Sequence, residues 1–206
     1  MAFGEGFSDK VTAAVAAVER ASEAEVVVVV APRSGSYADV DLLAAIGLGL
    51  LSLGVILYGP WSFRPEPILA DVVIFGLLGW AASRRFPALR RLLTRASRRQ
   101  AQVDMAARLA FMDYAVHATR GRTGVLIYLS QLERSGRVLA DQGVHGKVPR
   151  AVFSELKQGL ANATSLGELE AALHQGLELM AQRLAAHLPA TGENPDEIPN
   201  APRILS

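Results

Sequence analysis

Few residues of this 206-residue chain could do chemistry, and most of those flank one short apolar stretch. "GRVLADQGVHGKVP", residues 136 to 149, sets Asp141, His145 and Lys147 within seven residues. Upstream, "ATRGRTG" supplies Arg120, Arg122 and Thr123 ahead of "GVLIYLS". A carboxylate as metal ligand or base, an imidazole, and a guanidinium facing phosphoryl oxygens are parts of a phosphoester hydrolase. If the two stretches pair as an antiparallel hairpin, the start of one strand neighbours the end of the other. Arg122, Asp141 and His145 would then converge, with Asp141 as ligand or base and Arg122 as oxyanion partner. The competing reading makes Asp141 and Gly143 a turn, has His145 cap or pack, and leaves Arg120 and Arg122 solvated.

Other chemistries are bounded by what the chain lacks. It has no cysteine, which removes thiolate nucleophiles, thiolate metal sites and disulfides. "GRTG" has neither the length nor the lysine of a phosphate-binding P-loop. His117, His145, His174 and His187 show no helical ligand spacing, and His174 lies between Glu170 and Glu178, where salt-bridging is the simpler reading. A formal net charge of +1 offers no reason to bind nucleic acid.

The elements that must hold these residues read as α/β. Ser8 is placed to cap a helix through about Ser22, with Val11, Ala14, Val15 and Val18 at helical spacing. "EVVVVVA", Glu25 to Ala31, and "GVLIYLS", Gly124 to Ser130, lack alternation, as strands buried on both faces do. "RVLAD" is a third strand, hairpin-paired with the second. Leu89 through Tyr114 carries one long helical stripe. Pro149 suits a first helical position ahead of Val152, Phe153, Leu156 and Leu160. Ser165 and Glu168 have capping-box spacing before a final helix, and the proline-rich end reads as an irregular or disordered tail.

Two apolar runs interrupt this pattern. Leu42 to Tyr58 is charge-free and long enough to span a membrane. Ile68 to Ala82 is shorter and holds Asp71, read as an interfacial, solvated carboxylate; Trp80, Phe86 and a snorkelling Arg84–Arg85 pair extend it. "GPWSFRPEP" breaks the helix between them and offers Trp61 to the interface, followed by Phe63. The connector holds one basic residue, Arg64, whereas Arg84, Arg85, Arg90, Arg91, Arg95, Arg98 and Arg99 follow the second run. The positive-inside rule then puts both termini in the cytoplasm of a multi-pass inner (cytoplasmic) membrane protein. Arg84, Arg85, Arg90 and Arg91 could also meet anionic lipid headgroups. Ala45 and Gly49, or Gly79 and Ser83, have the small-xxx-small spacing of helix pairs that form homo-oligomers. The first two strands form a parallel pair whose crossover contains the hairpin.

The order "EAEVVVVVA…YAD", "ATRGRTGVLIYLS", "LADQGVHGKVP", then two helices resembles the TPM domain family. That family covers plant thylakoid-lumen and photosystem-associated proteins and related bacterial membrane proteins. The likeness runs from about Glu25 to Pro189 and skips the hairpin, as in the bacterial branch whose domain is interrupted by paired transmembrane segments. It implies a small mixed sheet flanked by helices. It also implies a divalent metal such as calcium, and a role as acid phosphatase or in photosystem II repair. The acidic, glycine-rich stretch of secreted members is replaced here by "GVHGKVP", so no catalytic residue is carried over. The expected organisation is 1–39 as N-terminal helix and first strand, 40–86 as transmembrane hairpin, 87–190 as the rest of the TPM-like domain, and 191–206 as tail. The expected function is a membrane protein whose cytosolic domain binds a partner or serves membrane-protein assembly or maintenance. The alternative is a membrane-anchored, metal-dependent phosphatase-like hydrolase.

Overall fold

The computed structural model describes residues 3–60, 65–190 and 197–205. Trp61, Phe63 and Arg64 of the connector, and Pro195 of the tail, lie outside them. The described residues fall into two compact units, one from Met1–Ser34 with Arg99–Ser206, the other from Gly35–Arg98.

The first unit is built on β1 (Glu25–Ala31) and β2 (Gly124–Ser130), seven consecutive buried residues each. They run parallel, in register from Glu25 beside Gly124 to Ala31 beside Ser130. β3 (Ser135–Ala140) pairs antiparallel to β2, and β4 (Arg203–Ile204) runs parallel to the other edge of β1, giving the order β3-β2-β1-β4. Alternate side chains of the central strands feed two cores. Val26, Val28, Val30, Val125, Ile127 and Leu129 pack on α1 (Phe7–Ala21), α7 (Ser154–Asn162) and α8 (Leu166–Leu184). Val27, Val29, Leu126 and Tyr128 pack with Val103, Ala107 and Ala110 of α5 (Ala96–Asp113). Burial on both faces is why neither strand alternates. At the α7–α8 contact, a Cβ on Gly176 would lie 2.9 Å from Cβ and Cγ of Leu156, so the glycine permits the approach.

The fold is therefore mixed α/β, with the parallel pair and long crossover expected from the strand patterns. Local readings need correction. α1 starts after Gly6, which sits at φ 73°, and Ser8 makes no cap; its carbonyl instead accepts from the Thr12 hydroxyl. β3 ends at Ala140, one residue short of Asp141. The segment before Pro149 is a further helix, α6 (Gln142–Lys147), and a 3-10 turn, Arg150–Phe153, separates Pro149 from α7. The stripe from Leu89 to Tyr114 is two helices, because extended Thr94 separates α4 (Pro87–Leu93) from α5. The C-terminal residues are docked: Glu197 accepts from the Arg120 amide, Ile198 joins the second core, and the Leu205 amide donates to Val30. A short edge strand of Arg and Ile, preceded by prolines, carries too little pattern to be read from sequence.

The second unit is an antiparallel pair, α2 (Ala38–Tyr58) and α3 (Pro65–Arg85), followed by α4. Each long helix has 21 residues, about 31 Å of rise.

Candidate functional site

Asp141 sits where β3 enters α6, and its side chain is 6 % exposed. One carboxylate oxygen accepts from the Gln142 amide at 2.7 Å, capping α6; the other receives Nε of Arg122 at 3.3 Å. The Asp141 amide donates to Gly124, and the Gly143 amide donates to the carbonyl of Arg122, itself at φ 51°. A Cβ on Gly143 would lie 2.7 Å from that carbonyl oxygen. Backbone therefore fills the corner beside Asp141. Arg122 and Asp141 are brought together, as the hairpin geometry requires. His145 is exposed on α6, where its amide donates to the Asp141 carbonyl; Lys147 is exposed beyond it. Thr123 is buried, its amide bonded to Thr119 Oγ1. His117 lies in a 3-10 turn near Phe111, and His174 is 4.0 Å from Glu170 with its ring edge on Phe7. Among the described residues, no three histidine, aspartate or glutamate side chains are grouped to hold a metal ion.

Two polar clusters escaped the reading of the sequence. At the opposite end of β1 and β2, the Glu133 carboxylate is buried and accepts from the Ser34 amide at 3.1 Å and from the Ser130 hydroxyl. Ser34 Oγ lies 3.3 Å from the Tyr128 hydroxyl, whose pKa burial pushes up. The Gln131 and Leu132 amides donate to Ala31 and Pro32, so the cluster staples two loops together. No spacing marks it, because its members come from two segments about a hundred residues apart, one ending at Ser34 and the other running from Tyr128 to Glu133.

The second is an Asp-Val-Asp pair opening α2. Asp39 and Asp41 resemble a phosphoryl-transfer motif in spacing alone, since each carboxylate is taken by a different arginine. Arg98 reaches Asp39 at 2.5 Å. Arg90 holds Asp41 through two bonds of 2.8 and 2.6 Å, and Ser83 Oγ adds a third at 2.7 Å. Asp41 is buried, so this is a closed, charge-compensated clamp between α2, α3 and α4.

Above the clamp, the helix pair is packed through its small residues. A Cβ on Gly79 would lie 2.5 Å from the Ala44 carbonyl, and one on Gly49 3.2 Å from that of Val72. The residues with small-xxx-small spacing are thus spent inside the hairpin. The large apolar side chains point outward: Leu50 is 60 % and Leu51 62 % exposed, with Ile46, Val55, Val73, Ile74 and Leu77 also exposed. α2 is long and apolar enough to cross a membrane; α3 meets that measure only together with α4, past a bend of 102°.

Among solved structures the chain is similar to the BA42 protein of the psychrophilic bacterium Bizionia argentinensis, determined by NMR. The two share 13 % identity at a TM-score of 0.58, over 99 % of this chain and 96 % of that one. That likeness shows the mixed α/β fold. No family model and no curated protein matches the chain.

Proposed function

We propose that this chain is a TPM-type integral protein of the inner or cytoplasmic membrane, anchored by the α2–α3 hairpin with both flanks cytoplasmic. In this reading the α/β unit binds a protein partner in the assembly or maintenance of membrane proteins. The hairpin carries the proposal: glycines and a clamped ion pair lie inside, and leucines and valines outside. Water would penalise that arrangement, and lipid would not. The arginines after α3 support the orientation. The partner role is supported by Met105, Leu109 and Met112, which are exposed at i, i+4 and i+7 of α5, an adaptable apolar stripe.

The cysteine-free sequence gives a direct test. Single cysteines replacing Leu50, Gly59 and Ser206 are treated with a membrane-impermeant maleimide in intact and permeabilised cells. Gly59→Cys should react in intact cells, Ser206→Cys only after permeabilisation, and Leu50→Cys in neither. Reaction of Ser206→Cys in intact cells refutes the topology. A photocrosslinker at Leu109 should give a discrete protein adduct in native membranes that Met105→Asp abolishes; absence of an adduct refutes the partner role. The hydrolase alternative has the Arg122–Asp141 contact in its favour, while His145 stands apart from it. Metal-dependent phosphoester turnover lost in Asp141→Ala would establish it instead.

A further inference from the structure

We infer that α4 is an interfacial helix. It lies in the plane of the cytoplasmic leaflet, with Phe86, Leu92 and Leu93 among the acyl chains and Arg84, Arg85 and Arg95 on anionic phospholipid headgroups. The inference rests on the membrane reading of the hairpin.

Three observations carry it. α4 departs from α3 at 102°, so if α3 runs near the bilayer normal, α4 runs along the surface. At about 100° per residue, Leu89, Leu92 and Leu93 fall on one arc of α4, with Arg90 and Arg91 outside it; extended Phe86 immediately precedes the helix. Most of this apolar surface is uncovered: Leu92 is 82 % exposed, and Phe86 and Leu93 are exposed as well, while Leu89 is half-buried. An amphipathic segment with arginines on its flanks, starting where a span ends, matches an anionic bilayer surface in both polarity and charge.

The clamp sets the angle. Arg90 projects from α4 onto buried Asp41 of α2, where Ser83 of α3 also bonds, so all three helices are tied at one carboxylate. Arg90 is thereby withdrawn from the set of headgroup arginines. Arg84 and Arg85 remain exposed, with Arg84 over Trp80 at 4.6 Å and Arg85 over Phe86 at 5.9 Å. Such stacking leaves the guanidinium edges open to phosphate oxygens at interface depth.

The test uses the full chain in vesicles of phosphatidylcholine, with or without phosphatidylglycerol, and an environment-sensitive fluorophore on Leu92→Cys or Leu50→Cys. The Leu50 label should be shielded from aqueous iodide in either vesicle. The Leu92 label should also be shielded, and spin-labelled phosphatidylglycerol should quench it several-fold more than spin-labelled phosphatidylcholine. In the Arg84→Gln/Arg85→Gln/Arg95→Gln variant that preference should fall to about one. A Leu50 label open to iodide would overturn the membrane reading itself. A shielded Leu50 label with an iodide-accessible Leu92 label would overturn only the interfacial placement of α4. Shielding of Leu92 with equal quenching by both lipids would overturn the assignment of the arginines to anionic headgroups.

Discussion

Replacing Asp141 separates its role as helix cap from any role as a reacting group. In Asp141→Ala, α6 loses the side chain that accepts from the Gln142 amide, and Arg122 loses its carboxylate. Removing an N-cap of this kind costs about 1 kcal/mol, within a range of roughly 0.5–2. The ion pair adds at most about 1 kcal/mol, because Arg122 is 54 % exposed and its charge returns to water. The sum, about 1–2 kcal/mol, is roughly a 5- to 30-fold change in an opening equilibrium. The amides that should report it are those of residues 142–148. Val144 and His145 donate to the Asp141 carbonyl, Gly143 to Arg122 and Val148 to Val144. Their hydrogen exchange in the full chain should accelerate by that factor. Asp141→Asn keeps a competent cap and loses only the charge, so it should accelerate exchange by less than about fivefold. Unchanged exchange in Asp141→Ala refutes the capping account. An Asn variant as damaging as the Ala variant shows that the charge, not the cap, is what the corner needs.

Three further outcomes follow from the same contacts. Gly79→Val should lower the thermal midpoint in detergent by the equivalent of about 1–3 kcal/mol, while Gly47→Val, whose Cβ meets nothing within 4 Å, should leave it unchanged. The Glu168 carboxyl is held below the usual range by the Thr164 amide and hydroxyl. Its contribution is thus present above the unfolded pKa and lost as pH falls through the folded one; Glu168→Gln should lower the midpoint at neutral pH and converge with the parent once the pH has fallen below that lowered folded pKa. Deleting residues 197–206 uncovers the outer edge of β1 and removes Ile198 from the second core, so exchange at Val30, whose backbone faces that edge, should quicken and the midpoint should fall.

How far sequence could reach is clear from individual residues. Val26 to Val30 and Val125 to Leu129 announce doubly buried strands because burial on two faces removes polar alternation, and the parallel pairing follows from the long segment between them. The Ser165 cap on the Glu168 amide was legible because capping is local, although Glu168 reaches back most strongly to Thr164, one residue before the cap. The break at Thr94 was not legible. Apolar residues at helical spacing, Leu89, Leu92, Leu93 and Ala96, run through it, and the extended residue is held by contacts such as Thr94 Oγ1 on the Arg90 carbonyl. The clamp was hidden for a related reason: Asp41 lies 42 residues from Ser83 and 49 from Arg90, and only helix pairing assembles them. At the Asp141 corner, the approach of Arg122 was legible from hairpin geometry, but α6 was not, since six residues with two glycines carry little helical signal.

The ambiguity of "ADQGVHGKVP" has a physical origin. A catalytic loop and the entrance to a short helix ask for the same residues. Both need a polar side chain to satisfy amides that lack backbone partners, and both need a glycine where chains approach closely. Asp141 and Gly143 meet the second demand completely: the carboxylate is divided between an amide and a guanidinium, and the glycine lies against the Arg122 carbonyl. To act on a substrate, Asp141 would have to give up one of these contacts and open a corner that backbone now fills. Loss of the α6 cap would accompany any such step. A corner used in chemistry should therefore show exchange at residues 142–148 that responds to substrate, whereas a structural corner should respond only to mutation.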